Sequence, residues 1–272
     1  MKRLVFIFSI ITLISCTKEE ECWKHPPDNT IETFTIETYI TKLYISTIGR
    51  EPTVDELDTN FKTLRETDLS QESRELVITE ILNKAEYSDN LFTVESVNIL
   101  NGLGQDDINA EIDSLIANND PESELQRMEE LQAVLPGLKD GTISVIEMHK
   151  RMVNNSFYDE INMGHSHFVI SVFENFIQRT PGFEERQNGI NMLKNVEALL
   201  FLQPGNSKDD FIDIFFESDA YFIGQTNTLF NRYLFRNPTS EESVNYSLDY
   251  INTRDYKLLQ KRILSTDEFI GL

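Results

Sequence analysis

Apolar positions along this chain recur at intervals of three and four residues, the spacing that gathers them on one face of an α-helix. Ile36, Tyr39, Ile40, Leu43 and Tyr44 form such a face between Ile31 and Gly49. Leu76, Val77, Ile78, Ile81 and Leu82 form another, in a helix expected to finish near Tyr87. Ile108, Ile112, Leu115 and Ile116, then Leu125, Met128, Leu131 and Leu135, mark two amphipathic helices on either side of the corner Asn118-Asn119-Asp120-Pro121. Helix starts are signalled as well: Thr53 with Glu56, and Ser144 with Glu147, have the spacing of a capping box. The periodicity is helical throughout and predicts an all-α fold with no sheet.

Superimposed on the helical period is a longer repeat. Arg50/Pro52/Glu56, Arg179/Pro181/Glu185 and Arg236/Pro238/Glu242 share one spacing, and Tyr44, Phe173 and Phe230 each precede their arginine by the same interval. Downstream, an apolar pair leads an aromatic three times: Ile81-Leu82 to Tyr87, Phe215-Phe216 to Tyr221, and Ile263-Leu264 to Phe269. Met152-Val153 leads Tyr158 in the same way, a half-unit just before the helix that ends at Arg179. The stretches from Arg50 to Tyr87, from Arg179 to Tyr221 and from Arg236 to Phe269 differ in length. Kept ends and a variable connection suit duplicated helices packed on a shared core and joined by surface loops. Stacked helical repeats follow: about three units, with a helical hairpin inserted at 101–140 between a first unit at 31–100 and the repeats at 141–272. Each arginine is expected in the last turn of its helix, where a cation meets exposed carbonyls, with the glutamate bonding it across the corner.

Charge narrows the partners. The chain has 46 acidic and 24 basic side chains, a formal net charge of −22, and would be repelled by nucleic acid phosphates. Residues 1–15 have the form of a signal peptide, with Lys2 and Arg3 before an apolar run too short to span a bilayer. That run ends in Leu13-Ile14-Ser15-Cys16, which resembles the lipobox of bacterial lipoproteins, and the resemblance implies a lipid on Cys16. The following Thr17-Lys18-Glu19-Glu20-Glu21 resembles the acidic signal that sends Bacteroidetes lipoproteins to the cell surface. Residues 16–30 then read as an acidic tether closed by Pro26-Pro27-Asp28-Asn29, with Cys22 as its spare thiol. The expected location is the outer membrane through the N-terminal lipid, at the cell surface or on the periplasmic face.

From Gly141 to Tyr221 the order is turn, capped helix, apolar pair, aromatic, arginine-proline corner, apolar pair and aromatic, and Leu229 to Phe269 repeats its second half. This order resembles the repeat of phycobilisome linker polypeptides and of their relatives among exported bacterial proteins. The resemblance implies a helical scaffold that grips other proteins and brings no catalytic residues with it. The lipobox and the acidity set this chain apart from the light-harvesting members.

Candidate chemistry is sparse. His165 and His167 are the only close histidine pair and the only lead toward a metal-dependent hydrolase, while His149 and His25 are expected at the surface. Gly102-Leu103-Gly104 lies in a helical pattern and is no phosphate loop. No nucleophile elbow, zinc-protease helix or calcium loop occurs, and no cofactor is implied. Tyr221, Phe222, Tyr233 and Phe235 are the candidate binding residues, should they form an exposed cluster. The expectation is a non-enzymatic adaptor or scaffold subunit held to outer-membrane or envelope proteins. The alternative is a glycan- or nutrient-binding surface lipoprotein beside a transporter. Function is expected where the repeat copies differ, notably in the Ile108–Leu135 insert and the terminal aromatics.

Overall fold

The computed structural model describes residues 31–272. The expectations on the signal peptide, Cys16, the tether and His25 therefore lie outside the described residues. The first unit comprises α1 (Thr33–Ile48), α2 (Val54–Glu66), α3 (Gln71–Leu82) and α4 (Ala85–Ile99). The insert is α5 (Gln105–Asn118), α6 (Glu122–Gln132) and α7 (Val134–Asp140). Then come α8 (Val145–Val153), α9 (Ser156–Ile161), α10 (His165–Ile177) and α11 (Phe183–Leu193). A hairpin of β1 (Ala198–Leu200) and β2 (Gln203–Gly205) leads into α12 (Lys208–Phe216). The chain closes with α13 (Asp219–Leu234), α14 (Ser240–Thr253), α15 (Tyr256–Leu264) and α16 (Asp267–Ile270). The all-α class holds, and the expectation of no sheet is corrected by this one antiparallel pair, in register Leu199 with Pro204.

The repeated spacings fold alike. In α1 the face read from sequence is buried, and the helix stops at Gly49, whose φ of 76° is left-handed. The equivalent stops, Gln178 at φ 54° and Phe235 at φ 55°, end α10 and α13. The arginines therefore stand just past the helix end rather than in its last turn, because the left-handed residue before each has already turned the chain. The apolar pair ends its helix as expected, but the aromatic opens the next one. Asn155, Ser218 and Thr266 each accept, through the side chain, the backbone N–H of Tyr158, Tyr221 and Phe269, so the break between pair and aromatic is an N-cap. Tyr87 likewise belongs to α4 and not to the end of α3.

These aromatic positions make one helix serve two units: α13 begins with the terminal aromatic of the second copy and ends at the corner of the third. The array also closes on itself. Tyr39 of α1 donates its hydroxyl to Leu264 O at 3.1 Å, and Arg74 of α3 bonds Ser265 O at 3.0 Å and Asp267 at 2.6 Å. The third copy thus packs against the first. A shared core of buried Phe, Tyr, Leu, Ile and Met runs through all units. At the crossing of α10 and α13, Gly224 lets the helices meet, since a Cβ there would strike Phe176 O and Ile177 Cα.

Candidate functional site

The three corners are built alike. Each guanidinium grips its glutamate with two bonds: Arg50 to Glu56 at 2.7 and 2.9 Å, Arg179 to Glu185 at 2.7 and 2.7 Å, and Arg236 to Glu242 at 2.8 and 2.7 Å. Beneath them lie the aromatics of the repeat, with Tyr44, Phe173 and Phe230 centred 5.6, 5.1 and 5.4 Å from the guanidinium carbon. Each glutamate also accepts the N–H of Thr53, Gly182 or Thr239, starting the next helix. Hydrogen bonds from the arginines hold Glu56 and Glu185 below the usual carboxylate range and Glu242 at about 2. The prolines Pro52, Pro181 and Pro238 lie in the turn between each arginine and its glutamate. With each guanidinium bonded in two places to its glutamate and once to the backbone of the following residue, the corners are structural joints.

At two of the joints the arginine holds a second carboxylate. Arg50 reaches Glu86 at 3.0 Å and Arg236 reaches Glu268 at 2.6 Å, and each of these glutamates immediately precedes a terminal aromatic. In the second copy that place is taken by Ala220, and Arg179 holds Glu185 alone among the described residues. The same copy carries the hairpin, between α11 and α12, where the first and third copies have only short links at 67–70 and 254–255. Both departures meet at one groove of about 580 Å³. Its apolar floor includes Phe201, Pro204, Ile214 and Ala220, and Asp213, Glu217 and Asp219 are the charged groups along it.

The hairpin is held under strain. Its turn residues, Phe201 and Leu202, have φ of 47° and 66°, as a type I′ turn requires, yet such turns ordinarily take Asn and Gly. For side-chain-bearing residues the left-handed region costs about 1–2 kcal/mol each. Phe201 offsets this by packing its ring against Phe173 at 5.9 Å and Phe215 at 6.2 Å. Leu202 is 89% exposed and receives no such return. Asn188 ties the hairpin to α11 through Leu199 O at 2.8 Å, and Gly205 lets β2 lie close on Asp210 and Ile214. Since Leu199 O is already bonded and Pro204 has no N–H, the hairpin is poorly suited to receive an added strand. It offers side-chain surface instead.

Two cations brace the acidic rim from outside. Lys150 Nζ lies 2.8 Å from Asp213 and 3.4 Å from Glu217, and Arg254 also pairs with Glu217. Burial works to lower Lys150, but these carboxylates outweigh it and leave the ammonium raised. Asp219 has no ion-pair partner among the described residues.

The other candidates fall elsewhere. Tyr221, Phe222 and Tyr233 are buried, which corrects the expected aromatic cluster. The cause is polar as well as apolar. Tyr221 OH meets His149 Nδ1 at 2.8 Å, Gln260 donates to Tyr233 OH at 2.7 Å, and Phe222 packs on Tyr250 at 5.0 Å. Only Phe235 is exposed, at 90%. His149, expected at the surface, is instead fully buried at the junction of α4, α8 and α13. Its Nε2 stands 3.7 Å from Glu95, beyond hydrogen-bond reach, while Arg232 bonds Glu95 at 2.9 Å. Burial pushes Glu95 up, but His149 and Arg232 outweigh it and hold its carboxyl at about 2. Glu95 and His149 are buried while the Arg232 side chain is part-exposed, and the network joins α4, α8 and α13. Ser144 caps α8 as expected, although Glu147 turns to Arg151 at 2.7 Å rather than back to the cap. His165 and His167 lie exposed on the first turn of α10, and no group of three or more His, Cys, Asp and Glu among the described residues is placed to hold a metal.

The groove was missed in the sequence, although two signals bore on it. The longest connection between corner and aromatic is the one that holds the hairpin, and Ala220 stands where Glu86 and Glu268 stand in the other copies. No family model, curated protein or solved structure matches the chain.

Proposed function

We propose that this chain is a lipid-anchored adaptor of the cell envelope, tethered through Cys16, that holds a partner protein at the hairpin groove. The observation that carries the reading is the coincidence of the inserted hairpin and Ala220 at one groove, beside which the hairpin's tip residue Leu202 is strained and exposed. Backbone strain clusters at binding sites, and at Leu202, unlike at Phe235, it lies beside a groove. The lipobox and acidic tether supply the membrane location in this reading, and the linker-like order of its helices agrees with a scaffold. No described helix is long and apolar enough to cross a membrane. The glycan-binding alternative needed a surface platform of aromatics, and three of its four residues are core.

Site-directed photo-crosslinking in the cells that make the protein tests this directly. A benzophenone side chain at Leu202 should give a discrete adduct with another envelope protein, and one at exposed Val54 on α2 should not. Cys16→Ser should release the chain from the membrane fraction and abolish the adduct. Equal labelling from both positions, or adducts only between copies of this chain, would refute the adaptor reading.

A further inference from the structure

We infer that the groove takes a segment of a partner protein in which one large apolar side chain is flanked by lysine or arginine. The inference rests on the adaptor reading for the existence of a partner, but its chemistry follows from the groove alone. The floor made by Phe201, Pro204, Ile214 and Ala220 has no charge, and its volume of about 580 Å³ is ample for one aromatic or branched aliphatic side chain. Asp213, Glu217 and Asp219 bring three carboxylates, and no lysine or arginine lines the groove. Lys150 and Arg254 meet Asp213 and Glu217 from neighbouring elements, which leaves Asp219 to seek a cation.

The other two copies show what the missing partner replaces. There a glutamate at the position of Ala220 reaches back to the corner arginine and ties the fourth helix of the unit to the joint. In the second copy that tie is gone and an apolar surface with an acidic rim stands open. A second copy of this chain fits poorly: it would bring the same carboxylates, in a protein of net charge −22, against one another. An anionic segment is disfavoured for the same reason.

Fluorescence anisotropy with labelled host peptides of Gly and Ser tests the chemistry on purified protein. The probes carry a central Phe flanked by Lys, by Glu or by Ser, and a Lys-flanked Ser control. The Lys-flanked Phe peptide should bind about tenfold more tightly than any other, a difference of about 1.4 kcal/mol, and weaken as salt is raised. Asp219→Asn should reduce that preference at unchanged melting temperature. Ala220→Glu, which restores the residue type of the other copies, should abolish binding, and Ala220→Gln should weaken it while keeping the fold. Equal binding of all peptides, preference for the Glu-flanked peptide, or binding only of a neutral oligosaccharide such as maltopentaose would overturn the inference. So would sedimentation showing self-association lost in Ala220→Glu with no peptide bound. Selective peptide binding without any Leu202 adduct in cells would leave the inference standing and remove the adaptor reading. An adduct with no selectivity among peptides would do the reverse.

Discussion

Leu202→Gly should make the protein more stable and a poorer binder at once. The backbone at Leu202 has a φ of 66°, where an L-residue with a Cβ is disfavoured by about 1–2 kcal/mol and glycine is not. Against this stands the greater freedom of glycine in the unfolded chain, about 0.4–1 kcal/mol. Because Leu202 is 89% exposed, removing its side chain gives up little buried surface. The net gain is about 0.5–1 kcal/mol, which for a domain of this size raises the melting temperature by about 1–4 °C. Urea titration should show the midpoint rise at constant slope, since the change alters no buried area. Leu202 also stands between two groove residues, Phe201 and Gln203, so the same variant should bind the Lys-flanked Phe peptide more weakly. A lower midpoint would mean that Leu202 packs on the fold and that the turn is not strained. Unchanged affinity at a raised midpoint would remove Leu202 from the binding surface.

Other substitutions separate joints, core and groove. Phe235→Gly, at a left-handed helix end with an exposed ring, should add about 0.5–1 kcal/mol to stability and leave peptide binding unchanged. Arg236→Ala removes a part-exposed bidentate pair, a second carboxylate contact and the stacking on buried Phe230, and should lower the unfolding free energy by about 1–2 kcal/mol without touching the groove. Gly224→Ala should cost about 3 kcal/mol or prevent folding, because the new methyl meets Phe176 O and Ile177 Cα. Glu95→Gln leaves Arg232 without its partner and should cost about 2–3 kcal/mol at neutral pH, read by urea titration. Glu95 is held at about 2 against an ordinary value of 4.5, so its contribution is complete above 4.5 and is lost as pH falls through 2. The gap between wild type and Glu95→Gln should therefore narrow on acidification, and a constant gap would show that the carboxylate charge is not the cause.

Most helix faces, caps and corners were legible in the sequence because they depend on neighbours a few residues away, though Leu76 and Ile116, read on apolar faces, are exposed. The face of α1, the Thr53–Glu56 capping box and the three arginine–glutamate pairs involve residues at most a turn or two apart, and each formed as its spacing requires. The same local logic found each apolar pair and its aromatic but ran one helix through both, where the structure starts a new helix before the aromatic. An N-cap depends on where the chain turns, and an aromatic after an apolar pair has no spacing that says which side of the turn it occupies.

The hairpin was illegible for a different reason. Each strand has only three residues, and its turn is made by Phe and Leu, two residues that local preference would not place at positive φ. Packing of Phe201 on Phe173 and Phe215 and of Gly205 against Asp210 and Ile214, with the bond from Asn188 to Leu199 O, holds it in place. Which aromatics face solvent was likewise a tertiary matter. Helical period puts Tyr221 and Tyr233 on apolar faces, but their burial rests on His149 and Gln260, far away in the chain.

By itself the sequence determined an all-α chain with three equivalent joints, because helical period and corner chemistry are properties of short stretches. Tertiary structure alone decided that the third copy closes on the first, that the aromatic cluster is core, and that a groove opens where Ala220 replaces a glutamate. Those outcomes depend on surfaces brought together across the whole chain, and no local spacing encodes them.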